Sequence, residues 1–243
     1  TKANFIRGGI LLKEDVSRVF QDTERFPAEL HPTFIELLTR FRVILPLSNH
    51  KGKESFLVPS MLGGSRPSTP LAQSFPLLGP RGTRTVGRVM KFLQLPLGFM
   101  ERVLLNLLHV PGVEQEVVWR KGLLVRQESR KLLIEYDSAS YRRYILFRFS
   151  VDDPHATRKW RGVLNQVLDV LRSFYINLMR SMEEAALCTH CLRKGVNRER
   201  LFCFPIEDCI AAAQKGDLLL YCHGIQSVSR CVKLHQLAPD LAL

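Results

Sequence analysis

"RYILFRFSV", residues 143–151, runs directly into "DDPHATRKWRGVLNQVLDVLRSFYINLMRSMEE", residues 152–184, and this passage decides the fold. In the first part Ile145, Phe147, Phe149 and Val151 alternate with Leu146, Arg148 and Ser150. That period of two is the pattern of a half-buried antiparallel strand. In the second part the period changes. Leu164, Val167, Leu168, Leu171, Phe174 and Leu178 recur at helical spacing and make an apolar face able to cover a sheet. Asp153 is placed to cap this helix and Pro154 to occupy its first position.

Working outward, "KLLIEYD" (131–137) and "EVVWRKGLLVR" (116–126) read as further strands, and "VGRVMKFLQL" (86–95) as an extended segment. Between them, "PLGFMERVLLNLLH" (96–109) places Met100, Val103, Leu104, Leu107 and Leu108 on one helical stripe, a packing face rather than a ligand box. Residues 86–185 are therefore expected to form an antiparallel sheet backed by helices, and the chain to be of the α+β class.

Residues 1–62 have a different rhythm. "GILL" (9–12) reads as a short strand, "EDVSRVFQ" (14–21) as a short helix, and "HPTFIELLTRF" (31–41) as a helix with Phe34, Leu37, Leu38 and Phe41 on its apolar face and Pro32 in its first turn. "RVILPL" and "SFLVPSML" come next as extended pieces joined by the turn-rich "SNHKGK". Helices followed by a hairpin predict a small winged-helix-like unit. Residues 63–85, "GGSRPSTPLAQSFPLLGPRGTRT", are dense in Gly, Pro, Ser and Thr without a sustained period, and read as a mobile linker.

All six cysteines lie at the far end, at 188, 191, 203, 209, 222 and 231. Residues 186–243 are expected to be a separate Cys-rich, zinc-ribbon-like subdomain, with "PIEDCIAAAQKG" (205–216) a helix stopped by Gly216, and "DLLLYCHG" (217–224) and "CVKLHQLAPDL" (231–241) strands. A C-x2-C knuckle aims two thiolates at one point, and tetrahedral Zn²⁺ needs two more Cys or His ligands from a second element. Cys188 and Cys191 form the knuckle. Cys209 with Cys222 is the first choice for the second pair, Cys222 with His223 or Cys231 the next, and His190 a spare inside the knuckle. The competing reading is a set of buried thiols, since free cysteine is among the most buried residue types. If zinc binds, it is expected to be structural, substituting for a core that about 58 residues are too few to build alone.

The chain has 243 residues, 46% of them hydrophobic, and a formal charge of +12. It begins at Thr1 without a signal-like apolar segment, so the expectation is a piece of a longer cytoplasmic protein, where reducing conditions disfavour disulfides. No apolar run approaches the roughly 18 residues of a membrane span. The positive charge invites a nucleic-acid reading, but the basic residues are spread along the chain and interrupted by acidic ones, a distribution that fits a solvated surface or an acidic protein partner better. No Gly-x4-Gly-Lys-Ser/Thr loop is present, so neither GTP nor ATP is expected to bind through a P-loop, and no G-x-S-x-G or H-E-x-x-H pattern supports an enzyme. His31, His50, His109 and His155 stand without paired carboxylates at useful spacing.

The succession "HPTFIELLTRFRVILPL", "FLVPSML", "LQLPLGFMERVLLNLLH", "VVWRKGLLV" and the strand "RYILFRFSV" before a long helix resembles the COR domain of ROCO proteins, the segment C-terminal to their Ras-like Roc GTPase. The most specific pieces are "FLVPSML" (56–62) and the pairing of "PLGFMER" (96–102) with "WRKG" (119–122). The closing "LAPDL" (237–241) is similar to the segment after COR in several members, and the likeness is nearest to members with leucine-rich repeats and no kinase. The resemblance implies a winged-helix-like COR-A over 1–62 that packs on Roc and a COR-B over 86–185 that mediates homodimerisation. It implies a non-enzymatic module that couples the nucleotide state of the neighbouring GTPase to dimer geometry and to other signalling proteins. GTP or GDP would be bound only by the Roc domain. The reading carried beside it is a winged-helix nucleic-acid binder using its basic surface.

Overall fold

The computed structural model describes residues 6–241 except 23, 42, 51–52, 77, 92–97, 109, 111, 138–141, 175–181, 197–199 and 225–229. These residues fall into two compact units, 1–66 with 118–120, and 67–117 with 121–243. Both mix antiparallel sheet with helices, as the α+β reading expects.

In the first unit, β1 (Ile6–Arg7), β2 (Ile10–Leu12), β3 (Leu45–His50) and β4 (Lys53–Leu57) form a sheet in the order β1-β2-β4-β3. Gly8 and Gly9 both take positive φ, which closes the two-residue hairpin between β1 and β2 with the twist such a turn requires. Helices α1 (Val16–Val19) and α2 (His31–Arg40) pack on this sheet around Leu11, Val16, Ile44 and Val58, with Ile35, Leu38 and Phe56 at the margin. The apolar face expected on α2 is rotated. Ile35 and Leu38 face the core and Phe34 joins Phe20 and Phe26 in an aromatic cluster. Leu37 and Phe41 are exposed, Phe41 by 74%.

In the second unit, β5 (Thr83–Lys91), β6 (Glu114–Trp119), β7 (Gly122–Gln127), β8 (Arg130–Asp137), β9 (Arg142–Ser150), β10 (Glu183–Leu187) and β11 (Cys203–Pro205) form one sheet in the order β11-β10-β5-β9-β8-β7-β6. The segment read as one strand, "EVVWRKGLLVR", is a hairpin that turns at Arg120 and Lys121. Helices α4 (Phe99–Leu108) and α5 (Ala156–Phe174) pack on each other, and α5 packs on β9. Trp160 of α5 is fully buried and stacks on Phe147 of β9, with centroids 5.9 Å apart. Leu164, Val167 and Val170 continue the buried face. Of the face expected here, Leu168 is half-buried, while Leu171, Phe174 and Leu178 lie outside the described side chains, as does His109. The expected helix to Glu184 is too long, because Glu183 and Glu184 already belong to β10.

Strand β9 is not half-buried. Ile145, Phe147 and Phe149 are buried, but so are Leu146 and Arg148, and Val151 is exposed. The second face is covered by the segment expected to be a linker. Within 63–85, α3 (Ser68–Ser74) buries Leu71, and Phe75 behind it lies under the Arg148 guanidinium, 4.0 Å from the ring centroid. Arg148 also donates to the Pro76 carbonyl oxygen at 2.8 Å and to Thr85 Oγ1 at 3.0 Å. Burial pulls its guanidinium down to about 10.

The Cys-rich end is likewise not a separate subdomain. Strand β10 pairs with β5 and β11 with β10, so residues from 183 onward complete the main sheet. They continue through α6 (Thr189–Arg193), α7 (Ile206–Lys215), the antiparallel pair β12 (Leu219–Cys222) and β13 (Arg230–Lys233), and α8 (Leu234–Leu237). Gly216, at φ +76°, ends α7 in the left-handed conformation that a side chain would disfavour. The segment "CVKLHQLAPDL" is part strand and part helix rather than one strand.

Candidate metal centre

Strand β10 delivers Cys188 to the start of α6, where its sulfur caps the helix by accepting the Cys191 amide N–H at 3.5 Å. One helical turn brings Cys191 back onto the same side, so the knuckle arises from local chain geometry. The second element is the end of β12. Cys222 Sγ lies 3.5 Å from Cys191 Sγ, and the sulfurs of Cys188, Cys191 and Cys222 are all within 4.8 Å of one another. All three residues are buried.

Each sulfur also receives a backbone N–H. Besides the Cys191 amide on Cys188, the Phe202 amide donates to Cys191 and the Gly224 amide to Cys222, the last at 3.4 Å. Amides aimed at sulfur favour thiolate, whereas burial, the larger effect here, pushes the Cys188 and Cys191 thiols up. A divalent cation reverses that balance, because a coordinating thiol is deprotonated outright. Tetrahedral coordination at a Zn–S distance of ~2.3 Å separates sulfurs by roughly 3.8 Å. The Cys191–Cys222 separation of 3.5 Å is near that figure and the other two are within 4.8 Å, so the cluster could hold a metal.

Gly224 closes the site. A Cβ there would stand 2.4 Å from Phe202 Cβ and 3.3 Å from Cys191 Sγ, so only glycine lets the chain after Cys222 lie against the knuckle. Nothing in the sequence alone marked this glycine.

The remaining cysteines are elsewhere. Cys209, expected as a ligand, is buried on α7 outside the group of three, and burial pushes its thiol up to about 11 while the Arg88 guanidinium opposes the rise. Cys231 is exposed on β13, directly across from Tyr221. Cys203 is half-buried on β11 opposite Leu187. All six are free thiols.

A second cluster escaped the sequence reading. Arg88, fully buried in the middle of β5, donates to Glu184 on β10 at 3.0 Å and to both carboxylate oxygens of Asp240 at 2.7 and 2.8 Å. Trp160 Nε1 donates to the same Asp240 at 3.0 Å, and Arg161 reaches the Asp240 carbonyl oxygen at 2.7 Å. The "LAPDL" motif thus fastens the end of the chain to β5 and α5. Arg130 makes a similar internal pair with Asp153, which accepts the His155 amide and leads into α5 two residues later than expected. A share of the positive charge is therefore committed to pairs inside the protein, which disfavours the nucleic-acid reading.

Among the described residues no helix is long and apolar enough to cross a membrane. The chain is similar along its whole length, at 25% identity, to the probable serine/threonine-protein kinase pats1 of Dictyostelium discoideum, of which it spans 7%. Half of it is similar, at 26% identity, to the probable serine/threonine-protein kinase roco11 of the same organism, of which the match spans 8%. The family model for "C-terminal of Roc, COR-B domain" matches residues 83–240, which begin at β5 and end at Asp240. Since that match takes in the entire seven-stranded sheet and its helices, the chain belongs to the COR-B family of ROCO proteins.

Proposed function

We propose that this chain is a non-enzymatic regulatory and dimerisation module that sits beside a Roc GTPase domain and couples its nucleotide state to assembly and signalling. The supporting observation is the family match over residues 83–240, which coincides with a sheet and helices whose buried guanidiniums, those of Arg88, Arg130 and Arg148, are all engaged in holding the fold. The first unit, with its four-stranded sheet and α2, is read as the winged-helix-like COR-A that packs on Roc. GTP and GDP belong to that neighbour. The test compares the chain alone with a longer chain carrying the GTPase upstream. The expected result is no nucleotide binding by the first and hydrolysis or exchange by the second that changes when the COR region is removed. Tight GTP binding by the chain alone would overturn the reading.

The same reading includes a structural zinc ion at the thiols of Cys188, Cys191 and Cys222. Its support is the sulfur spacing and the three backbone amides. Metal analysis is expected to find one zinc per chain, reduced in Cys188→Ser; a reduced, zinc-supplied protein with no bound metal rejects it.

A further inference from the structure

Three thiolates leave a structural zinc one ligand short, since such sites are four-coordinate and closed. The geometry points to His223 as the fourth ligand, making a closed three-sulfur, one-nitrogen zinc site that pins the β12–β13 hairpin to the end of β10. This rests on the zinc reading above and goes further by naming the donor set.

Position carries the choice. Among the described residues, the other donors near the cluster face away from it. Cys203 pairs directly with Leu187, so its side chain shares the Leu187 face of the sheet, where Leu187 fills the space beside Gly87, and Cys188 is the next residue along. The Cys203 thiol donates to the Leu201 carbonyl oxygen instead. Cys231 shares the exposed face of Tyr221, opposite to that of Cys222. Cys209 belongs to the surroundings of Arg88. His190 sits one position before Cys191 on α6, about 100° around the helix from it.

His223 follows Cys222, and the amide of Gly224 after it donates to the Cys222 sulfur at 3.4 Å, so the His223 backbone is held beside the site from both sides. Its exposed ring stands edge-on to Phe202, 6.0 Å between centroids, and the Phe202 amide is the one that serves Cys191. Its nitrogens stand outside the group of three sulfurs, so coordination requires the ring to turn from Phe202 toward them.

Charge favours the same donor. Zn²⁺ with three thiolates carries one net negative charge. A neutral imidazole leaves it unchanged, whereas a fourth thiolate would double it in a buried setting, where unpaired charge is costly. One face of the pair is exposed at Leu219 and Tyr221 and the other carries the buried Cys222 and Val232, so a metal ion would add a bridge on the side that already packs inward.

The test uses the full chain under reducing conditions, loaded with zinc for affinity and with ¹¹³Cd for NMR, whose shift distinguishes three-sulfur, one-nitrogen coordination from three-sulfur, one-oxygen and four-sulfur sites. The unmodified chain is expected to bind one ion with the three-sulfur, one-nitrogen signature. His223→Ala is expected to bind at least about tenfold more weakly, the loss seen even when a supporting residue of a metal site is removed, and to move the signal to the oxygen class. His223→Cys should recover tight binding with a four-sulfur signal, while Cys203→Ser and Cys231→Ser should leave both readouts unchanged. Because His223 is exposed, its variants are expected to keep the fold, checked by circular dichroism. If His223→Ala keeps the parent affinity and signal, the fourth donor is another group and this inference fails while the zinc reading stands. If the unmodified chain binds no metal, the zinc reading fails with it.

Discussion

Asp240→Ala should destabilise the second unit by ~3–4 kcal/mol. The substitution removes both bonds from Arg88 and the one from Trp160 Nε1 in a place where the Arg88 side chain is fully buried and that of Asp240 only 13% exposed. Breaking one side of a buried ion pair costs ~3–5 kcal/mol, because the survivor keeps its desolvation penalty without its partner. Glu184 remains 3.0 Å from Arg88 and softens the loss. It is the weaker counter-ion, since burial pushes its carboxyl above the usual glutamate range despite the guanidinium beside it. The orphaned indole N–H adds roughly 1 kcal/mol or more. For a folding unit of this size each kcal/mol moves Tm by about 2–4 °C, so a melt followed by circular dichroism should shift downward by roughly 6–16 °C. Arg88→Met and the double variant complete the cycle. The pair should show a coupling of ~1–3 kcal/mol, since each change removes the same contact. A loss below about 1 kcal/mol, or strict additivity, would refute the idea that Asp240 is the principal counter-ion of Arg88.

The other internal cations give two further expectations. Arg148→Lys should cost ~1–3 kcal/mol in a urea titration, because an ammonium cannot both cover the Phe75 ring and serve Pro76 and Thr85 as the planar guanidinium does; an unchanged midpoint would count against that role. Asp153 has its carboxyl held below the usual aspartate range, first by the hydrogen bond from Arg130, so its contribution is present above the unfolded value of ~3.9 and disappears as pH falls through the lower folded value. Asp153→Asn should therefore be the less stable protein by ~1–3 kcal/mol at neutral pH and converge with the parent well below pH 4; a constant gap across the acid limb would contradict the assignment.

Much of this fold is legible in the sequence where one physical pattern dominates. The alternation in β9 and the helical repeat in α5 are such patterns, and both elements form, although α5 starts at Ala156 and residues 183–184 belong to β10. The features that stayed hidden depended on partners far along the chain. Trp160 sits among Arg158, Lys159 and Arg161 and reads as part of a basic surface, yet it is fully buried, because Phe147 and Asp240 await it. Arg148 reads as an outward-facing strand residue and Arg88 as one more dispersed cation, but their counter-groups stand 96 and 152 positions away for Arg88 and behind a Pro-rich segment for Arg148. Leu71 and Phe75, four residues apart, are a helix-like pair submerged in a Pro, Ser and Gly composition that suggested a linker. In the candidate centre the C-x2-C spacing alone predicts that Cys188 and Cys191 converge. That Cys222 joins them while Cys209, expected beside it, does not depends on the β12–β13 register and the position of α7, which no local pattern encodes.

Strand β10 is where the two fastenings of the C-terminal segment meet. Glu184 on it faces Arg88, and four residues later Cys188 opens the thiol cluster. On one side β10 is bonded to the long central strand β5; on the other it carries the three-residue β11. A strand with so short an outer neighbour gains little from that edge and would fray unless its ends were tied. The Arg88–Asp240 pair ties it to the last residues described and the contact between the Cys191 and Cys222 sulfurs sets β12 against its end, so residues that looked like a tail pack on the edge of the central sheet. The family match likewise runs on to Asp240 instead of ending with α5. The cooperative unit is the sheet with both fastenings, and cutting the chain at residue 185 would remove β11 and the end of β10 along with the Asp240 carboxylate that neutralises Arg88.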